Sequence, residues 1–322
     1  MKIEQFKHRP VRAAERILAH LRIIRLDHSI KQIFIVPGIV LAISLERSVL
    51  SSVLLIRIVI GLIAATLIAC SNYVINEILD APFDQLHPTK KNRPAASGLV
   101  HKGWGYVQWI AMMLVGLALA SLLGRGFLFS AAALWVMGCI YNIPPVRSKD
   151  LPYVDVLSES INNPLRFCLG WYSVTTLMLP PASLLVSYWM LGCYFMSLKR
   201  FSEYRQIGDP AVAAGYRSSF AHYSQESLLN SATFYAAACM LFFGAFMMRY
   251  RIELILSFPV IAWLMAVYFS LSFENESAVQ NPELLYREPK LMIPLSICVA
   301  LIVLLLFVNL PWIGILFPRS TP

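Results

Sequence analysis

The chain has 322 residues, of which 58% are hydrophobic and only 14% are charged, and its formal net charge is +9. A soluble domain carries about 25% charged residues, so this composition excludes a typical soluble protein and predicts an integral membrane protein. Long apolar runs favour membrane-spanning helices over the strands of a barrel, and the basic balance suits cytoplasmic loops and anionic substrates instead of nucleic acid.

The apolar runs predict an all-α protein with about nine transmembrane helices. The runs lie near 32–46, 53–79, 104–123, 127–142, 154–177, 181–198, 229–248, 253–272 and 291–317. A basic segment with apolar residues at helical spacing, 1–31, precedes them and suits an interfacial helix on the cytoplasmic leaflet. We therefore expect this segment to be followed by one catalytic transmembrane domain, 32–322.

The distribution of basic residues predicts the orientation. Most of the 27 Lys and Arg residues lie in 1–31 and in the loops at 84–102, 143–152, 199–224 and 273–290, which a nine-helix chain places on one side. The positive-inside rule makes that side cytosolic. We expect the N-terminus and the active site to face the cytoplasm, in a bacterial-type inner membrane, and the sequence leaves a homo-oligomer open.

An acidic stripe closes the second predicted helix. Asn76, Asp80 and Asp84 stand four residues apart, so their side chains share one helical face. Carboxylate oxygens suit a hard cation such as Mg²⁺, which proteins commonly bind through one or two carboxylates and substrate phosphates. Lys90 and Arg93 follow closely and are donors suited to phosphate. The stretch predicts a membrane-embedded Mg²⁺–diphosphate site, the alternative being an interhelical polar cluster without a metal.

A proline lies inside this stripe. Pro82 cannot donate a backbone hydrogen bond to residue 78, so we expect it to bend the helix and to leave Asp84 on a broken end. Glu77 lies off the stripe and is placed to support the ligands from behind.

The next polar loop runs from Tyr141 through Lys149 to Asp155, and Arg166 lies within the span that follows. Asp155 stands where a carboxylate favours a helix N-terminus, so a capping role competes with a functional one. Arg166 needs a buried anion or carbonyl partner, so a structural Arg–Asp pair competes with substrate binding.

A further loop is strongly basic. Lys199, Arg200 and Glu203 occupy adjacent helical turns, and the loop continues to Arg217. One interpretation is a phosphate clamp in which Glu203 orients the cations. The other is a self-paired, solvated basic end that flanks a membrane span.

Together these residues resemble a known family. Asn76-x₃-Asp80-x₃-Asp84, with Asn92-Arg93-Pro94 and Ser97-Gly98, resembles the first aspartate motif of the UbiA superfamily. Members are nine-helix intramembrane enzymes that ionise a diphosphate ester with Mg²⁺. The resemblance implies a UbiA-like bundle with a cytoplasmic-side cavity, in which Asn76, Asp80 and Asp84 are the catalytic and metal-binding residues.

Within the superfamily, the chain most resembles the decaprenyl-phosphate phosphoribosyltransferases, which join 5-phosphoribosyl diphosphate to a polyprenyl phosphate. The likeness lies in Asp84-Gln-Leu-His87-Pro88-Thr89-Lys90 with Arg93-Pro94, in Lys149 through Asp155 to Arg166 and Gly170, in Lys199-Arg200-x₂-Glu203, in Arg217 with Tyr223, and in the basic stretch Arg25 to Lys31. It implies a role in cell-envelope glycan precursor synthesis. It also implies substrate binding by Lys31, Lys90, Arg93, Tyr141, Lys149, Asp155, Arg166, Lys199, Arg200, Glu203 and Arg217.

Departures from that pattern keep a second substrate open. Glu77 stands where the family usually has Asp, and the Pro144-Pro145 pair is reminiscent of the aromatic prenyltransferases. The alternative is transfer from a prenyl diphosphate to an aromatic or lipid acceptor. Enzymes of that kind carry a second acidic Asp-x₃-Asp motif before the seventh helix, where this chain has Lys199-Arg200-x₂-Glu203, so phosphoribosyl transfer is favoured. A transporter or binding protein for phosphorylated lipids would explain the basic loops but not the acidic stripe.

Overall fold

The computed structural model describes residues 13–46, 51–85, 90–275, 277–280 and 282–317. The first twelve residues of the predicted interfacial segment and the His87-Pro88-Thr89 part of the phosphoribosyltransferase-like motif lie outside the described residues. Within the described ranges the chain is helical and contains no β-strand, which confirms the all-α prediction there.

Thirteen α-helices make up the described architecture. They are α1 (Ala13–Arg22), α2 (Val36–Glu46), α3 (Ser52–Asp84), α4 (Lys102–Ser121), α5 (Arg125–Asn142), α6 (Val154–Ser160), α7 (Asn162–Val174), α8 (Ala182–Ile207), α9 (Pro210–Tyr216), α10 (Gln225–Tyr250), α11 (Phe258–Leu271), α12 (Pro289–Phe307) and α13 (Pro311–Leu316). Short 3₁₀ helices connect or extend them at Leu26–Ile35, Lys90–Asn92, Ser148–Asp150, Ser218–His222, Ile252–Ser257, Ala278–Gln280 and Pro282–Arg287.

Six helical stretches of the described chain are long and apolar enough to cross a membrane. They are Ala14–Glu46, Ser52–Asp84, Lys102–Ser121, Gln225–Tyr250, Ile252–Leu271 and Pro289–Phe307. The other predicted spans coincide with α5, with α8, and with the pair α6 and α7, which is divided at Ile161. The count of nine spans stays a prediction.

The longest helix, α3, departs from the sequence prediction at its end. It runs unbroken from Ser52 to Asp84 with Pro82 inside it, so the predicted break before Asp84 is wrong. Proline removes its own backbone donor and crowds the carbonyl of residue 78, but only two helical residues follow Pro82, so little of the helix depends on that bond. The Gln85 N–H donates to the Ala81 carbonyl at 3.1 Å and closes the turn. The acidic stripe therefore lies on one continuous helical face.

Close backbone contact fixes α7 against α2. A Cβ atom on Gly38 would lie 2.1 Å from the Phe167 carbonyl oxygen, and one on Gly170 would lie 2.0 Å from the Ile35 carbonyl oxygen. Only glycine permits this approach, which small residues provide in membrane helix pairs. α3 also packs against α7, as well as against α4 and α5. These contacts fix the positions of α3 and α7, and with them the positions of the residues that the two helices carry.

Candidate active site

A cavity of about 580 Å³ opens between α3, α5, α7 and α8 and the loops at their polar ends. It brings together every sequence-predicted site residue except Asp155. Those lining it are Lys31, Asn76, Asp80, Asp84, Lys90, Arg93, Tyr141, Lys149, Arg166, Lys199, Arg200, Glu203 and Arg217. In all, ten Lys and Arg side chains line the cavity against five Asp and Glu side chains. This excess of positive charge suits ligands that carry several phosphate charges.

Asp80 is the centre of the acidic stripe. Its Oδ1 accepts hydrogen bonds from Lys149 Nζ at 2.5 Å and from Arg147 Nη2 at 3.1 Å. Its Oδ2 accepts one from Asn76 Nδ2 at 3.2 Å. The Asp80 side chain keeps 21% of its surface exposed to the cavity. It therefore combines two cationic partners with an open face.

Two residues at this centre were missed by the sequence analysis. Asn142, the last residue of α5, accepts from Asn76 Nδ2 at 2.5 Å and from Lys149 Nζ at 3.0 Å. Arg147 joins Asp80 and also pairs with Asp150 at 2.8 Å. Both lie within or beside the Tyr141-to-Lys149 loop, so the polar density of that loop was the available signal.

Asp84 holds the turn that follows α3. It accepts from Arg93 Nη1 at 2.7 Å, and only 8% of its side chain is exposed. Glu77 is buried, and its Oε1 accepts from the Ala95 backbone N–H at 3.3 Å. The two acids fix the path of the basic segment over the end of the stripe.

Asp155 lies behind the cavity wall, so direct substrate binding by this residue is not supported. Its side chain is fully buried, and its Oδ2 accepts from Arg200 Nε at 3.1 Å. The Tyr223 hydroxyl donates to its Oδ1 at 2.7 Å, and Arg217 Nη2 lies 3.4 Å from its Oδ2. Asp155 therefore positions two cavity-lining arginines, a role that depends on helix packing and that its place in the sequence did not reveal.

The basic loops are cross-linked around these arginines. Arg200 Nη1 donates to Glu203 at 2.8 Å, and Lys199 Nζ lies 3.9 Å from the same carboxylate. Arg217 Nη2 donates to the Tyr141 hydroxyl at 3.2 Å. The basic end of α8 is thus self-paired, as one interpretation held, and it also faces the cavity, as the other required.

Arg166 is a buried cation of the cavity lining. It lines the cavity, is 8% exposed, and forms no ion pair with any described carboxylate. Its Nε is buried and has no hydrogen-bond partner within the described ranges. The competing interpretation, a structural Arg–Asp pair, is absent there.

Burial changes the proton affinity of two groups in the loops. Desolvation lowers the pKa of Lys149 below its ordinary value, and the nearby Asp80 carboxylate partly counters this effect. Desolvation raises the pKa of the Tyr223 phenol, and its contact with Asp155 raises it further. Tyr223 is therefore a neutral hydrogen-bond donor, while Lys149 holds its proton less firmly than an exposed lysine.

The oxygen donors of the stripe fit a magnesium ion that arrives with phosphate. The described residues contain no group of three or more His, Cys, Asp or Glu side chains able to hold a metal by themselves. Mg²⁺ needs only one or two carboxylates when phosphates and water complete its shell. Asp80 and Asp84 could supply these, because a carboxylate has lone pairs beyond those used by its cationic partners. The Asn76 side chain adds an amide oxygen.

Comparisons with known proteins agree with this architecture. The sequence model of the UbiA prenyltransferase family matches residues 33–287. A curated relative, the uncharacterized protein y4nM of Sinorhizobium fredii (strain NBRC 101917 / NGR234), is 28% identical over 110 residues. That match covers 34% of this chain and 21% of the relative, so the chain spans about a fifth of that relative's length.

Solved structures share the fold. A UbiA homolog from Archaeoglobus fulgidus bound to GPP and Mg²⁺ has a TM-score of 0.65 at 18% identity, covering 90% of this chain and 100% of that one. The same homolog bound to DMAPP and Mg²⁺ gives the same values. A digeranylgeranylglyceryl phosphate synthase has a TM-score of 0.61 at 15% identity, covering 91% and 98% of the two chains. At these identities the likeness concerns the fold alone.

Proposed function

The chain belongs to the UbiA prenyltransferase family, and we propose that it is a Mg²⁺-dependent transferase that moves a 5-phosphoribosyl group from 5-phosphoribosyl diphosphate to a polyprenyl phosphate. The observation that carries this proposal is the cavity lining, where ten basic side chains face five acidic ones. A single diphosphate with its metal leaves much of that charge uncompensated, whereas a second phosphate-bearing substrate balances it. In this proposal the cavity faces the cytoplasm of a bacterial-type inner membrane, and the product feeds cell-envelope glycan synthesis.

The donor diphosphate is assigned to the acidic stripe. Asp80 and Asp84, with the Asn76 amide, would hold Mg²⁺, which supplies charge neutralisation of the leaving diphosphate. Lys149 and Arg147 contact Asp80 directly and therefore stand beside that position. They exchange part of their pairing with Asp80 for the diphosphate oxygens, which adds donors where negative charge grows during bond cleavage.

The acceptor phosphate is assigned to the basic end of α8. Arg200 and Arg217 are held from behind by Asp155, and Lys199 lies on the same wall of the cavity. The bond between the ribose anomeric carbon and the diphosphate oxygen breaks, and its electron pair leaves with diphosphate. A lipid phosphate oxygen supplies the pair for the new bond. The phosphate oxygen is already anionic, so the reaction does not need a strong general base. It needs cationic hydrogen-bond donors that bind the phosphates.

Prenyl transfer is the second candidate, and the family likeness favours it. The related Archaeoglobus fulgidus structures hold GPP or DMAPP with Mg²⁺. In this chain Ala69, Leu134 and Met196 line part of the cavity and offer apolar surface. Against this candidate, the wall opposite the acidic stripe carries Lys199, Arg200 and Arg217, which suit phosphate better than an aromatic ring.

Turnover by the purified full-length protein tests the proposal. The protein is reconstituted with polyprenyl phosphate and incubated with 5-phosphoribosyl diphosphate, with Mg²⁺ or with excess chelator, and the lipid product is followed by mass spectrometry. We expect phosphoribosyl lipid only when Mg²⁺ is present. Absence of this product, together with turnover of a prenyl diphosphate on an aromatic acceptor, would overturn the proposal.

A further inference from the structure

The inner end of the cavity has a different chemistry from its mouth. Asn72 lies eight residues before Asp80 on α3, about 12 Å along the helix at 1.5 Å per residue. Arg166 lies eleven residues beyond Asp155, on α7, which follows α6 after Ile161. α3 and α7 pack together, and Asn72 and Arg166 line the same cavity, each more than two helical turns from the aspartate on its own segment.

Several buried polar atoms at this inner end lack partners. The Tyr73 hydroxyl, Asn72 Oδ1, Asn162 Oδ1 and Arg166 Nε are all buried without a hydrogen bond in the described part of the chain. All four residues line the cavity. Buried polar groups are nearly always satisfied in folded proteins, so a cluster of exceptions around one space points to a polar ligand in that space.

Glu159 adds a carboxylate to the same wall. It precedes Asn162 by three residues and lines the cavity, and its carboxylate forms no hydrogen bond or ion pair within the described ranges. The Asn162 Nδ2 group donates to the Glu159 backbone carbonyl at 3.0 Å, and both side chains belong to the cavity lining. A carboxylate that accepts only, beside an amide oxygen, is suited to the hydroxyl groups of a sugar.

We propose that this inner subsite, formed by Tyr73, Glu159, Asn162 and Arg166, binds the sugar 5-phosphate part of the donor, while the acidic stripe holds its diphosphate. The inference rests on the proposed phosphoribosyl transfer and deepens it. The Glu159 and Asn162 oxygens accept from the ribose hydroxyls, and the Tyr73 hydroxyl donates with Arg166 to the 5-phosphate. A prenyl chain in the same place would leave each of these buried groups without a partner, so the subsite selects against it.

This assignment divides the cations between the two substrates. Arg166, which has a buried Nε without a hydrogen-bond partner and no ion pair among the described residues, is assigned to the donor. Lys199, Arg200 and Arg217, which pair with carboxylates, remain for the lipid phosphate.

Binding of two ligands to the purified full-length protein tests the subsite. With Mg²⁺ present, inorganic diphosphate probes the acidic stripe alone, and 5-phosphoribosyl diphosphate probes the stripe and the inner subsite together. Isothermal titration is run on wild type, Tyr73→Phe, Glu159→Gln and Asn162→Leu. Tyr235→Phe is the matched control, because it removes one hydroxyl from the helix core away from the cavity.

We expect the Kd of 5-phosphoribosyl diphosphate to rise about tenfold in Tyr73→Phe and in Asn162→Leu, with the Kd of diphosphate changed less than about twofold. Equal weakening of both ligands, or no weakening of either, would overturn the subsite. If Asn162→Leu fails to fold on size exclusion, Tyr73→Phe and Glu159→Gln decide the matter, since both preserve shape.

The outcome separates the two proposals. A wild-type protein that transfers phosphoribosyl groups while all three variants bind both ligands normally removes the inner subsite alone. A wild-type protein that neither binds nor turns over 5-phosphoribosyl diphosphate removes the proposed function as well.

Discussion

Two aspartates in this protein each hold two cations, yet their surroundings differ. Asp80 pairs with Lys149 and Arg147 and keeps 21% of its side chain exposed. Asp155 contacts Arg200 and Arg217 and is fully buried behind the cavity wall. The same kind of pairing therefore leaves one carboxylate accessible from the cavity and makes the other a buried support, and we propose that only the accessible one exchanges its partners for a ligand. Access to the cavity makes the difference.

The largest effect is expected when Asp80, the aspartate that is exposed to the cavity, loses its charge. Asp80→Asn should lower the transfer rate by about 10³-fold or more, because both metal binding and the alignment of the neighbouring cations depend on it. Its melting temperature should stay near that of wild type, since the carboxylate is partly solvated. Rate and thermal stability are measured on the same preparation. Wild-type-like activity would remove Asp80 from the metal site, and Asp209→Asn, which alters an exposed helix cap, is the control.

Substitution of the buried aspartate, Asp155, should instead lower the stability of the fold. Asp155→Asn removes one of the two carboxylates that pair with the buried Arg200, which keeps Glu203, and also removes the carboxylate next to Arg217; the loss should cost about 3–5 kcal/mol of folding free energy. Denaturant unfolding in detergent measures this loss. An Asp155→Asn protein as stable as wild type would contradict the structural role of Asp155.

A smaller loss of stability is expected from a change at Tyr223, which contacts Asp155. Tyr223→Phe removes the hydroxyl that donates to Asp155 and accepts from the Tyr153 backbone N–H. The loss of a hydrogen bond to a charged group should cost about 1.5–3 kcal/mol. Unfolding curves of Tyr223→Phe and of Tyr235→Phe, compared at one detergent concentration, separate this loss from a general effect of removing a hydroxyl. Equal curves would show that the contact with Asp155 contributes nothing.

The smallest effect concerns pH. Burial lowers the pKa of Lys149, so this side chain loses its charge at a lower pH than an ordinary lysine as the solution becomes alkaline. Arginine keeps its charge throughout that range. In Lys149→Arg, kcat/KM should therefore begin to fall at a slightly higher pH than it does in wild type. An unchanged pH profile would show that the fall comes from another group.

The sequence predicted the parts of the site that depend on local spacing. The four-residue repeat of Asn76, Asp80 and Asp84 defined one helical face, and α3 shows that face. The bend at Pro82 was predicted from a local rule that the end of the helix tolerates. Local patterns thus predicted which residues share a face but not how each helix ends.

The sequence alone could not predict contacts between segments that are far apart in the chain. Asn142 and Arg147 reach the stripe across 66 and 67 residues of chain. Tyr73 and Asn162 look like ordinary polar residues within apolar runs, and only the packing of α3 against α7 shows that their buried atoms share a space. The burial of Asp155 likewise depends on how α6 meets α8.

Competition between the two donor substrates in one reaction is the most direct test of the proposed phosphoribosyl transfer. The reconstituted wild-type protein receives 5-phosphoribosyl diphosphate and geranyl diphosphate together, with polyprenyl phosphate and an aromatic acid as acceptors and Mg²⁺ in excess. Mass spectrometry of the lipid extract then reports both products from one vessel. We expect polyprenyl phosphoribose as the dominant product. A prenylated aromatic product without phosphoribosyl lipid would contradict it.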